Sequence, residues 1–436
     1  MNSFEVIGGN ELQGNITPQG AKNEALQILC AVVLTNEKIV LHNVPNIVDV
    51  RELIEVLKYL EVEVIQVTEN SFSFCAATLQ IQKIHTPQFY TLCSKLRGSV
   101  MLIGPLLAKY NQAVMPQPGG DKIGRRSIST HLVALQKLGV QCQYNTSLNY
   151  FEFTTNKLTG AYILLDEPSV TGTANIIMAA VLASGTTTIY NAACEPYLQQ
   201  LCRMLNNMGA SITGIGSNLL TINGVATLSG TTHTMLPDMI EVGSFIGLAA
   251  MTQSGITIKN AGVRYLELIL EKFNMLGIEL LIQGDDIIVP KQTLYTIPAL
   301  YDGSVPTLYD HPWPGLTPDL LSILLVTAIH AKGSVMIHQK MFESRLFFVD
   351  KLKDMGAKII LCDPHRAVVI GLERTYNLRG ITMSSPDIRA GVALLFAALS
   401  AKGKSIIHNI NQIDRGYENI DRRLQALGAN IKRVNL

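Results

Sequence analysis

Charged residues are scarce in this chain, and long apolar runs are missing from it. Asp, Glu, Lys and Arg make up 16% of the 436 residues, and the formal net charge is +1. Nucleic-acid-binding proteins usually carry a strong basic excess, so any anion site here must be a local cluster. Mean hydropathy is +0.24, yet no apolar run reaches the roughly 18 residues of a membrane span. We therefore expect no membrane segment and no nucleic-acid partner.

Motifs for disulfides, metals and common cofactors are also missing. The seven cysteines are odd in number and never in CxxC spacing, which indicates a reducing compartment without structural zinc. The nine histidines form no HExxH-type pair, and neither GxxxxGK(S/T) nor GxGxxG after a strand occurs, which disfavours a kinase or a dehydrogenase. The N-terminus has no charged segment followed by an apolar one, unlike a signal peptide. We expect a cytoplasmic protein that holds no metal and no cofactor.

What the chain does have is two interleaved repeats. The first is exemplified by "LQKLGVQC" and "LQALGANI", and its glycines stand at 139, 209, 277, 356 and 428, so that they are 70, 68, 79 and 72 residues apart. The second is exemplified by "LASGTTTIYN" and "LSAKGKSIIHN", with glycines at 185, 255, 333 and 403. Two phrases with matched periods argue against chance recurrence.

Each phrase predicts a local structure. Leucines three apart lie on one helix face, and the following glycine fits the left-handed position that ends a helix. The β-branched segment after it predicts a strand. Each unit of about 70 residues is then strand–helix–strand–helix–strand–strand. Six units exceed one compact core, so we predict an α/β protein of two similar domains with three units each, with the break near residues 231–243.

A series of short motifs covers essentially the whole chain. They are "GAKNEAL" (20–26), "HNVP" (42–45), "PGGDKIGRR" (118–126), "PSVTGTAN" (168–175), "NAACEP" (191–196), "LPDMIEVGSF" (236–245), "FESR" (342–345), "DIRAG" (387–391) and "IDRGYENI" (413–420). No single motif would suffice, but together they resemble the enolpyruvyl transferases, in particular the branch that acts on UDP-N-acetylglucosamine.

The resemblance implies a fold and a reaction. The fold is an inside-out α/β barrel in each domain, with residues 22–236 in the first domain, residues 1–21 and 237–436 in the second, and the active site in the cleft between them. The reaction transfers the enolpyruvyl group of phosphoenolpyruvate to the 3′-hydroxyl of UDP-N-acetylglucosamine and releases phosphate, as the first committed step of peptidoglycan precursor synthesis. A monomer is the default for a cleft closed within one chain.

The resemblance also assigns cationic residues. It implies that Lys22 contacts phosphoenolpyruvate and Asn23 the sugar nucleotide, although a lysine in a first helical turn is usually solvated. The guanidinium fork suits phosphate and carboxylate oxygens. Arg345 and Arg389 sit amid apolar neighbours, where burial against an anion or carboxylate is favoured from the sequence itself. The arginines that the resemblance places at phosphoenolpyruvate are Arg97, Arg126, Arg345, Arg389 and Arg415, and those it also places at the nucleotide are Arg97 and Arg126.

Further positions carry two interpretations each. The resemblance implies that Asp319 orients or deprotonates the 3′-hydroxyl, whereas the sequence alone favours an N-cap of the apolar helix after it. Asp387 is similarly a cap or a partner for cations. Asp238 and Glu241 resemble acids that meet the cleft. For the nucleotide, the resemblance points to residues 126–131 and to Ser169, Val170, Thr171 and Met341, where an ordinary Ser/Thr cap is equally compatible with the pattern.

The loop at residues 117–126 contains the main departure from the family. Asp121 stands where most relatives carry a cysteine, and it is flanked by Lys122, Arg125 and Arg126. At a reference pKa near 3.9, only about 0.1% of aspartic acid is protonated at pH 7. If Asp121 is the acid that protonates the enol CH2 carbon, substrate charge and water exclusion must raise its pKa by about 3. Fosfomycin, which alkylates the family's cysteine, should then fail to inactivate this protein.

Two alternatives remain open at this point. One is an enolpyruvyl transferase acting on shikimate 3-phosphate, which shares the fold and chemistry but lacks the PGG-x-x-IG-x-R loop in this position. The other is a non-catalytic paralogue that binds UDP-sugars, which the filled cationic positions disfavour. An assay of phosphate release with the two substrates separates these possibilities.

Overall fold

The chain forms a mixed α/β structure. It is a computed structural model that describes residues 2–119, 127–343 and 345–435. In these ranges no helix is long and apolar enough to cross a membrane. All seven cysteines are free.

The strands are short and are distributed along the whole chain. They are β1 (Asn2–Gly8), β2 (Gln13–Ile16), β3 (Ile39–His42), β4 (Glu63–Thr68), β5 (Ser71–Cys75), β6 (Gln112–Pro116), β7 (Gln141–Asn145), β8 (Tyr150–Thr154), β9 (Tyr162–Leu164), β10 (Thr186–Tyr190), β11 (Ser211–Thr213), β12 (Leu219–Asn223), β13 (Thr231–Thr234), β14 (Gly255–Ile258), β15 (Leu281–Gln283), β16 (Asp286–Val289), β17 (Thr307–Tyr309), β18 (Ser334–His338), β19 (Lys358–Asp363), β20 (Arg366–Ile370), β21 (Thr382–Ser384), β22 (Gly403–His408) and β23 (Asn430–Asn435).

The α-helices alternate with these strands. They are α1 (Lys22–Ala31), α2 (Val48–Tyr59), α3 (Pro87–Cys93), α4 (Ile103–Tyr110), α5 (Ser129–Lys137), α6 (Val170–Ala180), α7 (Pro196–Asn207), α8 (Met239–Met251), α9 (Glu267–Met275), α10 (Leu321–Ala328), α11 (Val349–Asp354), α12 (Ile388–Ser400), α13 (Asn411–Asp414) and α14 (Ile420–Ala426). The 3-10 helices are Val32–Leu34, Ile81–His85, Arg97–Leu102, Val263–Tyr265 and Pro318–Leu320.

The predicted repeat is confirmed in the strand order. β9 pairs in parallel with β10, and β10 pairs antiparallel with β12, which pairs antiparallel with β11. α6 and α7 connect these strands, so the segment is strand–helix–strand–helix–strand–strand. The sheet β17-β18-β20-β19 repeats this order. The unit that contains β6, β7 and β8 departs from this order. Its described residues form a three-stranded sheet, β6-β8-β7, and α3 and two 3-10 helices occupy the segment before α4.

The glycines of the first repeated phrase end their helices as predicted. Their φ angles are all positive, at 92° for Gly139, 103° for Gly209, 84° for Gly277, 105° for Gly356 and 100° for Gly428. An L side chain in this left-handed region is strained, whereas glycine adopts it readily. The spacing of these glycines in the sequence is therefore the spacing between successive helix ends.

The first helix of each repeat is the most deeply buried. Every residue of α8, α10 and α12 is buried, as expected for helices that are apolar on all sides. These three helices pack against one another. Full burial of each leucine or isoleucine contributes about 1.5–3 kcal/mol, so these helices supply the core of residues 237–435.

The described chain separates into two compact units. One contains residues 20–119 and 127–236, and the other contains residues 2–19 and 237–435. The N-terminal strands complete sheets of the second unit. β2 pairs in parallel with β14, and β1 lies between β22 and β23. The chain therefore leaves and re-enters one unit at residues 19–20 and 236–237.

A buried ion pair anchors the N-terminal segment before it leaves that unit. Arg423 donates to both oxygens of Glu241, at 2.5 and 3.1 Å, and also to the carbonyl of Thr17 at 2.6 Å. The backbone N–H of Gln19 donates to Glu241 at 2.7 Å. Burial raises the pKa of Glu241, and Arg423 partly offsets that rise. Glu241 is thus engaged structurally, and its side chain is only 1% exposed.

Replacing Arg423 with methionine leaves this carboxylate buried without its counter-ion. We expect R423M to lower the free energy of unfolding by about 3 kcal/mol at pH 8. The folded-state pKa of Glu241, already raised by burial, rises further in the variant. Below the pKa that this carboxyl has in the unfolded chain, it is protonated in both states and its raised pKa costs no stability. As pH rises from there through the folded-state pKa, the unfolded state loses its proton more readily, and the folded state loses stability. The deficit should therefore be smaller at pH 5 than at pH 8 in urea denaturation.

The matched control is R366M. Arg366 pairs with Asp363 at 2.7 Å, but its side chain is 51% exposed. An exposed pair contributes about 0–1 kcal/mol, so R366M should be nearly neutral. A deficit in R423M that is equal at both pH values would contradict the account of Glu241.

Candidate active site

Lys22 begins α1 as predicted, but it is buried and paired. Its side chain is 8% exposed, and its ammonium lies 2.7 Å from the carboxylate of Asp49. A lysine this deeply buried requires such a partner, so the solvated interpretation of Lys22 is wrong. A Cβ at Gly20 would lie 1.7 Å from the carbonyl oxygen of Asn43, so only glycine fits before this helix start. Asn23 is the one residue of α1 that is not buried.

Glu24 and His233 fix the start of α1 against the end of β13. The Glu24 carboxylate is fully buried and lies 2.8 Å from Nε2 of His233. It also accepts the backbone N–H of Leu236 at 3.1 Å. Burial raises the pKa of Glu24, and His233 acts against that rise. Sequence reasoning missed this pair, because its members are 209 residues apart and carry no local motif.

Four more of the predicted site residues in the unit of residues 20–236 lie at two helix starts. Arg97 opens the 3-10 helix Arg97–Leu102, is half-buried, and donates to the Ser127 carbonyl at 3.2 Å. Ser169 is the N-cap of α6, and its hydroxyl accepts the backbone N–H of Gly172 at 3.2 Å. Val170 and Thr171 form the first turn of α6 and are half-buried. The expected Ser cap is confirmed.

Four predicted loop residues cannot be placed. Asp121, Lys122, Arg125 and Arg126 lie outside the residues that the structure describes. Just before them, Gly119 passes close to Ser94, whose carbonyl oxygen would lie 2.1 Å from a Cβ at this position. Glycine is therefore required there for steric reasons.

Asp319 lies between two arginines in the second unit. One of its oxygens is 2.7 Å from Arg345 and the other is 3.2 Å from Arg389. The predicted burial of these arginines against a carboxylate is confirmed, with side chains 12% and 6% exposed. The helix-cap interpretation of Asp319 is wrong, because Asp319 lies inside the 3-10 helix Pro318–Leu320 and the N-caps there are Thr317 and Leu320. Pro318 is the first residue of this 3-10 turn, which precedes α10.

The guanidinium of Arg389 is held on a second side. It donates to the hydroxyl of Tyr417 at 3.3 Å, and Tyr417 bonds Ser244 at 2.9 Å. Burial acts to lower the pKa of Arg389, but Asp319, Tyr417 and Asp238 together outweigh it and the pKa is raised. Arg389 therefore stays charged. Asp387 caps α12 by accepting the N–H groups of Arg389 and Ala390, which confirms its expected capping role.

Two other acids of this unit, Asp238 and Asp310, accept hydrogen bonds from backbone N–H groups. Asp238 caps α8 by accepting the N–H groups of Ile240 and Glu241. Asp310 is fully buried and accepts the backbone N–H of Met341 at 3.1 Å, and burial raises its pKa. Met341 itself is 40% exposed. Sequence reasoning missed Asp310, which fixes the backbone at Met341.

Arg415 follows α13 and is half-buried. Its guanidinium donates to the side-chain oxygen of Gln412 at 3.0 Å. Each unit thus brings predicted cations together with a buried carboxylate or a helix start. Such positions suit ligands with phosphate and carboxylate groups. Within the described ranges, no group of three or more His, Cys, Asp or Glu side chains could hold a metal ion.

Comparisons with known proteins find relatives over the whole length of the chain. The profile of the family EPSP synthase (3-phosphoshikimate 1-carboxyvinyltransferase) matches residues 6–424. A protein from Bacteroides thetaiotaomicron named UDP-N-acetylglucosamine 1-carboxyvinyltransferase is 61% identical over 434 residues, covering 100% of both chains. Proteins of the same name from Porphyromonas gingivalis and Bradyrhizobium diazoefficiens are 59% and 48% identical, over 100% and 99% of this chain and 100% and 98% of theirs.

Solved structures share the fold at low identity. The enolpyruvyl transferase NikO from Streptomyces tendae aligns with a TM-score of 0.88 at 20% identity, over 100% of this chain and 99% of that one. EPSP synthase from Acinetobacter baumannii aligns with a TM-score of 0.75 at 16% identity, over 100% of both chains. The chain therefore belongs to the EPSP synthase family of enolpyruvyl transferases.

Proposed function

We propose that this enzyme transfers the enolpyruvyl group of phosphoenolpyruvate to the 3′-hydroxyl of UDP-N-acetylglucosamine and releases phosphate. The observation that carries the proposal is the 61% identity, over the whole chain, to a relative named for this acceptor. Members of the fold use different acceptors, so the fold alone does not select one. The reaction would be the first committed step of peptidoglycan precursor synthesis.

The reaction requires cations, an acid and a base. Phosphoenolpyruvate carries a phosphate and a carboxylate, and the sugar nucleotide carries a diphosphate. In the proposed complex, arginine forks bind these groups and neutralise charge that develops as phosphate leaves. The cations assigned to phosphoenolpyruvate are Lys22, Arg97, Arg126, Arg345, Arg389 and Arg415. Of these, Lys22, Arg345 and Arg389 are already held by carboxylates, so their positions are set before substrate binds.

The addition step moves two protons. Asp121 donates a proton to the CH2 carbon of phosphoenolpyruvate, and the 3′-oxygen forms a bond to the neighbouring carbon. Asp319 orients the 3′-hydroxyl and accepts its proton. In the elimination step the methyl group returns a proton to the Asp121 carboxylate, the double bond reforms, and phosphate leaves with the electron pair of the broken C–O bond. The nucleotide contacts in this scheme are Asn23, Arg97, Arg126, Ser169, Val170, Thr171, Asp319 and Met341.

Release of free phosphate tests the reaction directly. Purified enzyme is supplied with phosphoenolpyruvate and either UDP-N-acetylglucosamine or shikimate 3-phosphate. We expect phosphate release with the first acceptor only. Release with shikimate 3-phosphate alone would select the other acceptor, and no release with either between pH 5 and 8 would favour a non-catalytic sugar-nucleotide-binding protein.

Removing the charge of Asp319 should slow turnover. We expect D319N to lower kcat by about 100-fold or more, because a positioned base contributes about 10²–10⁴-fold. The matched control is D354N, since the Asp354 side chain is 59% exposed and its partner among the described residues is a surface lysine in the same unit. Steady-state kinetics with a thermal-unfolding check measure both variants. A D319N enzyme with the turnover of D354N would remove Asp319 from the mechanism.

Asp121 should be replaceable by another acid but not by an amide. D121N cannot donate a carboxyl proton, so we expect its turnover to fall by about 100-fold or more. D121C restores a group that can donate, and we expect it to keep substantial turnover. Rates of phosphate release measure this series, and an active D121N enzyme would refute the acid role of Asp121.

Fosfomycin should not inactivate the wild-type enzyme, because a carboxylate stands at the position of the family's alkylated cysteine. Preincubation with fosfomycin and phosphate-release assays at increasing times measure inactivation. D121C is the positive control and should lose activity with time. None of the seven cysteines of the chain stands at position 121. Time-dependent inactivation of the wild type would therefore count against the assignment of Asp121.

A further inference from the structure

We propose that His131 and Asn175 act as positioning residues that make the Thr171 hydroxyl a hydrogen-bond donor to the diphosphate of the acceptor nucleotide. This inference deepens the proposed function and rests on it. It arises from a chain of hydrogen bonds behind the first turn of α6. The geometry of that chain determines where each proton lies.

The orientation of the Asn175 amide is fixed by two backbone groups. Its side-chain oxygen accepts the N–H of Gly104 at 2.5 Å, and its nitrogen donates to the carbonyl of Val100 at 3.0 Å. Exchanging the oxygen and nitrogen would place two donors together and two acceptors together. Both backbone groups belong to buried residues, so such an exchange would be costly.

The fixed amide selects the tautomer of His131. The Asn175 nitrogen also lies 3.0 Å from Nδ1 of His131. The Asn175 nitrogen carries hydrogens, so Nδ1 of His131 must accept one of them and must itself be without a proton. In a neutral imidazole the proton is then on Nε2. Nε2 lies 3.1 Å from the hydroxyl of Thr171 and donates to it.

The surroundings keep His131 neutral. Its side chain is 1% exposed, and both ring nitrogens bond neutral groups. Among the described residues, the charged side chains near this end of α5 include Arg97, which disfavours an imidazolium, and the acids Asp166 and Glu167, which accept from the Thr130 hydroxyl at 3.0 and 3.5 Å. Burial, with a smaller effect from Arg97, lowers the pKa of His131 to about 3. The tautomer is therefore constant over the range in which the enzyme is assayed.

The consequence reaches Thr171. A hydroxyl that accepts a bond from His131 has its own hydrogen left to donate. Within the described ranges, the Thr171 side chain has no hydrogen-bond partner other than His131. Thr171 is in the first turn of α6, is half-buried, and lies next to the cap residue Ser169. Diphosphate oxygens only accept hydrogen bonds, so a side chain committed to donation matches them.

Binding of UDP tests the donor role. We expect T171V to weaken UDP binding by about 10-fold or more, because it removes a hydrogen bond to a charged group. T171S keeps the hydroxyl and should bind within about 3-fold of the wild type. The KM for phosphoenolpyruvate should be unchanged in both variants. T171V that binds UDP as tightly as T171S overturns the inference while leaving the proposed function intact.

A double-mutant cycle tests the role of His131. H131F removes the donor to Thr171, and we expect the H131F/T171V double variant to bind UDP no more weakly than T171V. Additive losses overturn the coupling between the two residues. The ratio of the UDP dissociation constants of H131F and the wild type should be constant from pH 5.5 to 8. A ratio that grows at low pH would mean that His131 binds the ligand as a cation, which also overturns the inference.

The tautomer can be observed without any ligand. Nitrogen-15 NMR of the histidine rings, with the signal of His131 assigned by its loss in H131F, should show a neutral ring protonated at Nε2 between pH 6 and 8. A ring protonated at Nδ1, or a charged ring, overturns the inference. A wild-type enzyme that binds neither UDP nor UDP-N-acetylglucosamine overturns this inference together with the proposed function.

Discussion

Arg389 lies on a helix in which every residue is buried, and its ion pair with Asp319 is what permits a guanidinium to stay there. Arg345 approaches the other oxygen of the same carboxylate. Three charged groups are thus kept at one place, although any of them alone would be costly to bury. The apolar helices around them supply the stability that this arrangement needs. Three charged side chains are therefore accommodated among apolar helices.

The same constraint appears at other points of the molecule. Lys22 is buried beside Asp49, and Glu24 is buried beside His233. Glu241 is buried beside Arg423 and holds the segment that leads out of its unit. Glu24 and Glu241 each also accept a backbone N–H, and Arg423 donates to a backbone carbonyl, so these side chains also fix the main chain. Ion pairs in this protein position helix starts and connecting segments, which are the places where the predicted ligand contacts lie.

Much of the fold could be predicted from the sequence, because repeated glycines and alternating β-branched residues are local signals. Burial of Arg345 and Arg389 could also be predicted, since their neighbours in the sequence are apolar. The local pattern predicts that Asp319, the partner of those arginines, caps the helix that follows. The structure differs because a 3-10 turn beginning at Pro318 precedes the helix and contains Asp319. Asp49, His233 and Asp310 were missed because their partners are distant in sequence. His131 lay in a stretch implicated by resemblance, but its role depends on protons that only the surrounding bonds determine.

The N-terminal strands have a consequence for how the protein is made. β1 pairs with β22 and β23, so this strand leaves the ribosome long before its pairing partners do. At about 5–20 residues per second, roughly 400 residues of synthesis separate them by about 20–80 s. The unit formed by residues 20–236 has all of its own strands by then, including β13, which pairs with β3. The nascent chain therefore carries β1 unpaired while residues 20–236 can already fold, and the sheet of β1 forms only after β22 and β23 have been made.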